Sequence, residues 1–384
     1  MQKLFSILGE LFRKADMILL SLCVTATVYG IVAISSATNY FGNTRYVQVQ
    51  VAALGLGILT YFILTLIDVD IIAERRELLL ILSIGFISTL FIWGVEQYGN
   101  RSWLAFSWLP FNIQPAELCK IPFILILAKI MSVKQNKISS PLTVLRIAAV
   151  TGILFGLILV ASKDLGVALQ YIFIFVIMAY VGGVNIMWFV GGLGAVIVAA
   201  PFVFPYLSSR QQDRIMVLFD PSIDPLATDV RYQMNRSLRA IQNGGITGMG
   251  LYNGTMVQSS SLPQQQNDFI FSSIAEELGV IGCSFVLLLL VAIIVRIVQV
   301  GIRSGNYMNR LICVGIAGML ASQTMINVGM CLGILPVIGL TLPFFSYGGS
   351  SIVTMFIAMG IVSGIHMRPA PDSNARYIRP KNIA

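Results

Sequence analysis

Ten stretches of this 384-residue chain run for about the length of a membrane-crossing helix with few charged residues, and nothing constrains its folding more. They lie at about 17–36, 46–67, 77–95, 114–131, 144–161, 165–182, 185–206, 269–295, 311–333 and 346–366. A helical crossing needs roughly 20 apolar residues. A β-barrel is excluded, because barrel strands alternate apolar and polar residues whereas these runs are unbroken. Composition agrees: 57% of residues are hydrophobic and 11% charged, against about 25% charged in a soluble domain. That rules out a soluble globular chain and a disordered one. The expected fold is an all-α integral membrane protein of about ten transmembrane helices, with one large extracytoplasmic loop before span eight.

Lys and Arg set the orientation. With the N-terminus in the cytoplasm, only Arg45, Arg101, Lys120, Lys163, Arg210, Arg214, Arg231, Arg236 and Arg239 of the 25 basic residues fall elsewhere than the inner side. Both termini are therefore expected to be cytoplasmic. The net charge of +8 reads as a topology device, not a nucleic-acid signal. Residues 1–16 read as a cytoplasmic interfacial helix, with Leu4, Ile7, Leu8 and Leu11 at helical spacing among Lys3, Arg13 and Lys14. Residues 367–384 form a polar cytoplasmic tail. All five cysteines fall in apolar runs, so no disulfide framework or CxxC zinc motif is present. One histidine, His366, removes Ser-His-Asp chemistry and multi-His metal sites.

The outer loop, 207–268, is the stretch with the composition of a water-facing module. Arg214 lies at its start, Asp220–Pro225 is a turn cluster, and Tyr232–Asn243 reads as an amphipathic helix. The glycine-rich run Gly244–Gly254 implies a flexible backbone that allows close approach. Asp268 stands where the loop becomes the eighth span, and two readings are open. Asp is a favoured N-cap, a role Asn267 could also fill. Alternatively, a carboxylate partly withdrawn from water suits a general base.

Other residues carry similar pairs of readings. Glu117 and Lys120 share one helix face in span four, lining a polar cavity or forming a structural ion pair. Glu276 and Glu277 point different ways on span eight, towards a cavity and a partner helix, or both are structural. Arg101 and Trp103 suit a phosphate or headgroup, or an aromatic belt. Lys163 and Asp164 read as a local pair or cap. In Pro343–Ser351, glycines let helices approach and Ser350 and Ser351 can bond across; Asn327 could glue helices.

Taken together, the motifs resemble the SEDS family (shape, elongation, division and sporulation), which contains RodA, FtsW and SpoVE. The resemblance runs through Gly99–Leu104, Gln114–Glu117 with Lys120, Asp164–Gly166, Arg214-Ile215 and Asp220-Pro221. It continues through Gly248–Leu251, Leu262-Pro263, Asp268–Phe271, Glu276–Gly279, Gln323, Asn327 and Ser346–Ser351. It implies a glycosyltransferase that polymerises lipid II into glycan strands at the outer face of the bacterial cytoplasmic membrane. Asp268 matches the family's essential Asp and is the candidate base for an inverting attack. Glu117, Lys120, Arg101, Trp103, Arg214, Gln264, Gln266, Glu276, Glu277, Ser346 and Ser350 are candidates for substrate binding or support. The leaving diphosphate calls for cationic side chains, helix N-termini or a divalent cation, Mg or Mn. Implied partners are a class B penicillin-binding protein and other divisome or elongasome membrane proteins. Lys120 could pair with Asp268, which would lower its pKa, or with Glu117.

The chain departs from the family's Leu-Pro-Glu-x-His-Thr-Asp stretch, with Gln264 in place of Glu and Gln266 in place of His. Ala116 and Lys163 also depart, replacing Ser and Pro. Amides bind sugar hydroxyls but do not titrate. Two alternative functions are a lipid II flippase and a non-catalytic scaffold that activates a partner synthase.

Overall fold

The computed structural model describes residues 14–97, 100–206, 209–217 and 230–368. The expected interfacial helix in 1–16 and the tail after 367 fall almost wholly outside the described residues, and the Asp220–Pro225 cluster entirely so.

Each expected apolar run falls on helix. In chain order the elements are α1 (Met17–Ala37), α2 (Arg45–Leu66), α3 (Val69–Glu74), α4 (Arg76–Ser88) and α5 (Leu90–Trp93). A two-stranded antiparallel hairpin follows, β1 (Val95–Gln97) and β2 (Asn100–Trp103). Next come α6 (Pro115–Leu118), α7 (Lys120–Val133), α8 (Pro141–Ser162), α9 (Leu165–Val181) and α10 (Ile186–Val203). The last elements are α11 (Ser209–Met216), α12 (Val230–Gly244), α13 (Thr255–Gln258), α14 (Ile270–Arg303), α15 (Tyr307–Cys331) and α16 (Gly349–Met367). Among the described residues, seven helices are long and apolar enough to cross a membrane by length and composition, α4 and α5 counting as one. Two shorter apolar helices cover Leu165–Val181 and Ile186–Phe202. Pro115 opens α6 at a first-turn position, where the missing N–H is harmless, and Cys119 keeps helical dihedrals between α6 and α7.

Small residues bring the helices together. The ring of Phe356 on α16 lies where a side chain at Gly57 of α2 would go. A Cβ at Gly360 would lie 2.6 Å from the Tyr61 carbonyl. Near one end of the bundle, Asp16 caps α1 at Leu19 N (3.1 Å) and takes a charge-assisted bond from Arg296 Nε of α14 (2.8 Å). Tyr61 Oη donates to the Asp16 carbonyl (2.7 Å), and Asp16 N donates to Ser363 Oγ (3.1 Å). These contacts tie α1, α2, α14 and α16 at the face that also carries Arg368. By contrast α10 is exposed along nearly its whole length, with open space around Gly191, Gly192 and Gly194.

The eighth run differs from expectation in two ways. It extends to Arg303, and it is broken at Gly279 (φ 66°, ψ −165°). Only glycine adopts that backbone region readily. The break leaves carbonyls and N–H groups without helical partners, and the glycine-rich loop supplies them. Met249 N donates to Glu276 O (3.0 Å) and Gly250 N to Glu277 O (2.9 Å). In return Val280 N donates to Gly245 O (3.0 Å) and Ile281 N to Ile246 O (3.2 Å). This run is thus a paired backbone clamp, not the flexible segment expected. Side chains at Gly244, Gly248 or Gly279 would strike the opposing backbone. The amphipathic helix expected over Tyr232–Asn243 is α12. Its buried Ser237 bonds Ser272 Oγ (2.6 Å) and donates to Cys331 O (2.7 Å).

Gly279→Ala is expected to destabilise the protein by about 2 kcal/mol or more, from backbone strain of order 1–3 kcal/mol plus the clash. A thermal melt in detergent checks it, and an unchanged midpoint would contradict the clamp.

Candidate functional site

The residues before α14 are held by their backbone. Gln264 turns the chain with φ +48°, and its carbonyl accepts from Asn267 N (3.0 Å). The next four carbonyls each accept from a different group. These are Ser273 Oγ on Gln265 (3.1 Å), Tyr347 N on Gln266 (2.8 Å), Ser346 Oγ on Asn267 (2.6 Å) and Asn327 Nδ2 on Asp268 (2.8 Å). Gln265 Nε2 adds bonds to the Ala37 and Val257 carbonyls. Four consecutive peptide carbonyls, Gln265 to Asp268, are therefore fixed to α14, α15 and the segment before α16.

The Asp268 side chain is in a different position. Its carboxylate accepts no hydrogen bond among the described residues, and it is only half-buried. A Cβ at Gly339 would lie 3.7 Å from Oδ2, so the Gly339 backbone faces it. Burial pushes Asp268 up to about 6; Arg214 opposes the rise and Asp164 adds to it. The N-cap reading is overturned: the cap position of α14 belongs to Phe269 (φ −110°, ψ 23°), without a side-chain bond. Asn267 is no cap either, since its Oδ1 accepts no hydrogen bond among the described residues; its Nδ2 donates to Gln264 Oε1 (3.0 Å). Asp268 lies one residue too far upstream, and the Asn327 bond holds its peptide there.

Lys120 is fully buried. Its Nζ lies 2.7 Å from Glu117 Oε1 and donates to Gln170 Oε1 (2.6 Å). Glu117, not Asp268, is its ion-pair partner. Glu117 Oε2 and Gln170 Nε2 are buried without a hydrogen-bond partner. Between this pair and Asp268 stands Asp164, which caps α9 at Val167 N (3.1 Å) and accepts from Ser102 Oγ (3.3 Å) and Gln114 Nε2 (3.2 Å). Burial raises Asp164 to about 6; nearby Glu117 adds to the rise and Lys120 opposes it. Asp164 is thus the cap expected, and also a member of the cluster, which the sequence reading missed. Gln170, a lone amide in an otherwise apolar run, was the other available signal.

The hairpin delivers Ser102 to the cluster, while the strand's two-residue period turns Arg101 and Trp103 the other way. Arg101 is exposed and donates to Gly94 O (2.9 Å) within the hairpin; Trp103 is half-buried. Glu276 and Glu277 are structural supports. Glu276 accepts from Met256 N (2.9 Å), Val257 N (2.9 Å) and Asn243 Nδ2 (3.0 Å), holding the first turn of α13. Glu277 accepts from Ser36 Oγ (2.7 Å) and Gln258 Nε2 (2.9 Å). Ser350 Oγ accepts from Gln114 N (3.2 Å), so Ser346 and Ser350 anchor the Asp268 stretch and the start of α6 respectively. Gln264 binds Asn267, and Gln266 is buried.

The described side chains by themselves form no closed cage for a divalent cation. Among the described residues no three His, Cys, Asp or Glu side chains converge on one point. Asp164 already accepts three hydrogen bonds.

The chain matches the family model of the FtsW, RodA and SpoVE cell cycle proteins over residues 15–370. It is 30% identical over 367 residues to stage V sporulation protein E of Bacillus subtilis, covering 91% of this chain and 96% of that protein. It is 29% identical to the peptidoglycan glycosyltransferase MrdB of Escherichia coli, covering 91% and 93%. Among solved structures it resembles the rod shape determining protein RodA of Thermus thermophilus (27% identity, 93% and 98% covered, TM-score 0.68). It also resembles a chain from a structure titled "Structural coordination of polymerization and crosslinking by a peptidoglycan synthase complex" (30% identity, 92% and 97% covered, TM-score 0.77).

Removing one member of the buried pair leaves an uncompensated charge. Lys120→Met or Glu117→Leu alone is expected to destabilise by about 3–5 kcal/mol, and the double variant by far less. Unfolding in a double-mutant cycle measures this; additive losses would contradict a closed pair.

Proposed function

We propose, from the premise that this chain belongs to the FtsW, RodA and SpoVE family, that Asp268 is the general base of a peptidoglycan glycosyltransferase. Relatives in the family carry that enzyme name, and the chain is an enzyme of the same class. It is a multi-pass membrane protein acting in cell shape, division or sporulation. The substrate is lipid II, whose sugar carries a polyprenyl diphosphate. An acceptor 4-hydroxyl attacks the anomeric carbon. The new O4–C1 bond forms as the C1–O bond to phosphate breaks, and the diphosphate leaves with the electron pair on the face opposite the attack. The hydroxyl proton goes to Asp268.

The observation that carries this reading is the contrast within residues 264–268. Every carbonyl is fixed, while the one carboxylate accepts no hydrogen bond among the described residues. A rigid backbone and an unengaged side chain suit a base that must meet a hydroxyl at hydrogen-bond distance. Lys120 is held by Glu117 and Gln170, so it does not hold Asp268 protonation low by direct pairing. Arg214, whose charge reaches Asp268, is the described cation best placed to meet the diphosphate. Gln264 and Gln266 support binding and move no proton.

The Asp268 face is outside the cytoplasm on this reading, and the face of Asp16 and Arg368 inside, in the bacterial cytoplasmic membrane. The basic residues of the inner connections support it. The partner is a class B penicillin-binding protein, which crosslinks the strands; the polymerisation and crosslinking complex among the similar structures supports that choice.

Purified protein with labelled lipid II tests the reading. Wild type, alone or with the partner, is expected to form glycan ladders, and Asp268→Asn to lose about 10²–10⁴-fold in rate. A folded Asp268→Asn variant with normal rate would remove Asp268 as base. The active form of the base is the carboxylate, and Asp268 is raised to about 6. The rate is therefore expected to be full at neutral pH and to fall as pH drops through about 6. A profile flat down to pH 5 would count against it.

A further inference from the structure

A cavity opens beside the Asp268 stretch. It has a volume of about 280 Å³ and is walled by Asn43, Arg45, Tyr46, Phe111, Asn112 and Tyr347. We propose that this cavity is a glycan subsite, holding one N-acetylated sugar ring of the nascent strand next to Asp268; the proposal rests on the function given above.

The walls are preformed. The Tyr46 ring meets Tyr347 edge-on, with centroids 5.0 Å apart at 72°. Phe111 fills the space where a side chain at Gly349 would go, which seats it on the first turn of α16. Pre-formed aromatic walls with a few polar groups are the usual build of a small-molecule site. The polar groups here are uncommitted: among the described residues, the hydroxyls of Tyr46 and Tyr347, the Asn112 amide and the Arg45 guanidinium bond no protein group. An aromatic ring takes the C–H face of a pyranose, and amides and phenols serve its hydroxyls and acetamido group.

Charge selects the ligand. Arg45 is the lone charged residue in the wall, and no carboxylate lines it. A diphosphate calls for several cations, so the cavity suits the neutral sugar, with Arg45 near a carboxylate of the attached peptide. Small-ligand pockets span roughly 300–1,000 Å³, and a volume at the lower edge admits one ring. Position links it to the reaction: Tyr347 N donates to Gln266 O (2.8 Å), and the adjacent Ser346 donates to Asn267 O (2.6 Å). A ring held here lies beside the peptide units that carry Asp268.

The test uses the full chain in detergent and a soluble disaccharide–tetrapeptide of peptidoglycan, followed by saturation-transfer NMR on its sugar protons. Wild type is expected to bind it. Asn112→Ala and Tyr46→Leu are each expected to weaken binding about three- to tenfold, the effect of one lost hydrogen bond or contact; Tyr46→Phe, which keeps the ring and loses only the phenol hydroxyl, is expected to weaken it less than Tyr46→Leu. Both weakened variants should also make shorter strands from lipid II. No binding by wild type, or equal binding by wild type and Asn112→Ala, would overturn the subsite even if polymerisation is normal. Binding that is sensitive to Asn112→Ala in a protein that forms no polymer would uphold the subsite and overturn the glycosyltransferase reading. Asp268→Asn is expected to abolish polymer and leave fragment binding intact.

Discussion

The protein depends on a single constraint: backbone polar groups held away from water must find partners inside the chain. An unbroken helix satisfies them alone. At Gly279 the helix stops satisfying them, and the loop Gly245–Gly250 takes over with four backbone hydrogen bonds. The break gives a short half-helix, ahead of Gly279, its own direction. That half-helix follows Asp268, and α12 is bonded to it through Ser237 and Ser272. Helices α12 and α13 are thereby part of the scaffold of the site, and do not hang from it as a loose loop.

Electrostatics builds on that frame. Lys120 and Glu117 form a neutral buried pair with Gln170, and Asp164 is held by Ser102, Gln114 and the first turn of α9. The Asp268 side chain is left half-exposed and without a hydrogen bond among the described residues, in a setting that raises its pKa to about 6. A base with ordinary acidity would be fully ionised but weak; one raised to about 6 is stronger and still ionised at neutral pH. Placing the cavity of Tyr46 and Tyr347 against the same stretch brings the proposed sugar subsite and the proposed base onto one segment.

Particular residues show how far one-dimensional reading goes. The amphipathic α12, the Glu117–Lys120 face and the linking role of Asn327 follow from spacing and residue type alone. Asp268 was legible as exceptional but not as uncapping, because a cap depends on where the chain turns, and Asn327 on another helix decides that. In the Asn100–Trp103 strand, Arg101 and Trp103 draw attention by their chemistry, yet the pleat sends the modest Ser102 inward. Gln170 and Gln50 stand out as amides in apolar runs, but their partners, Lys120 and the Ser346 and Gly348 backbone, are 50 and nearly 300 residues away.

The sequence by itself determined the membrane architecture, the apolar runs, the charge asymmetry and the family, because hydrophobic length and basic-residue bias act locally along the chain. Only the tertiary structure decided that Lys120 pairs with Glu117 and that the Asp268 side chain accepts no hydrogen bond among the described residues. That choice rests on ion pairs and hydrogen bonds between distant segments, and on glycine positions whose close approach no local pattern specifies.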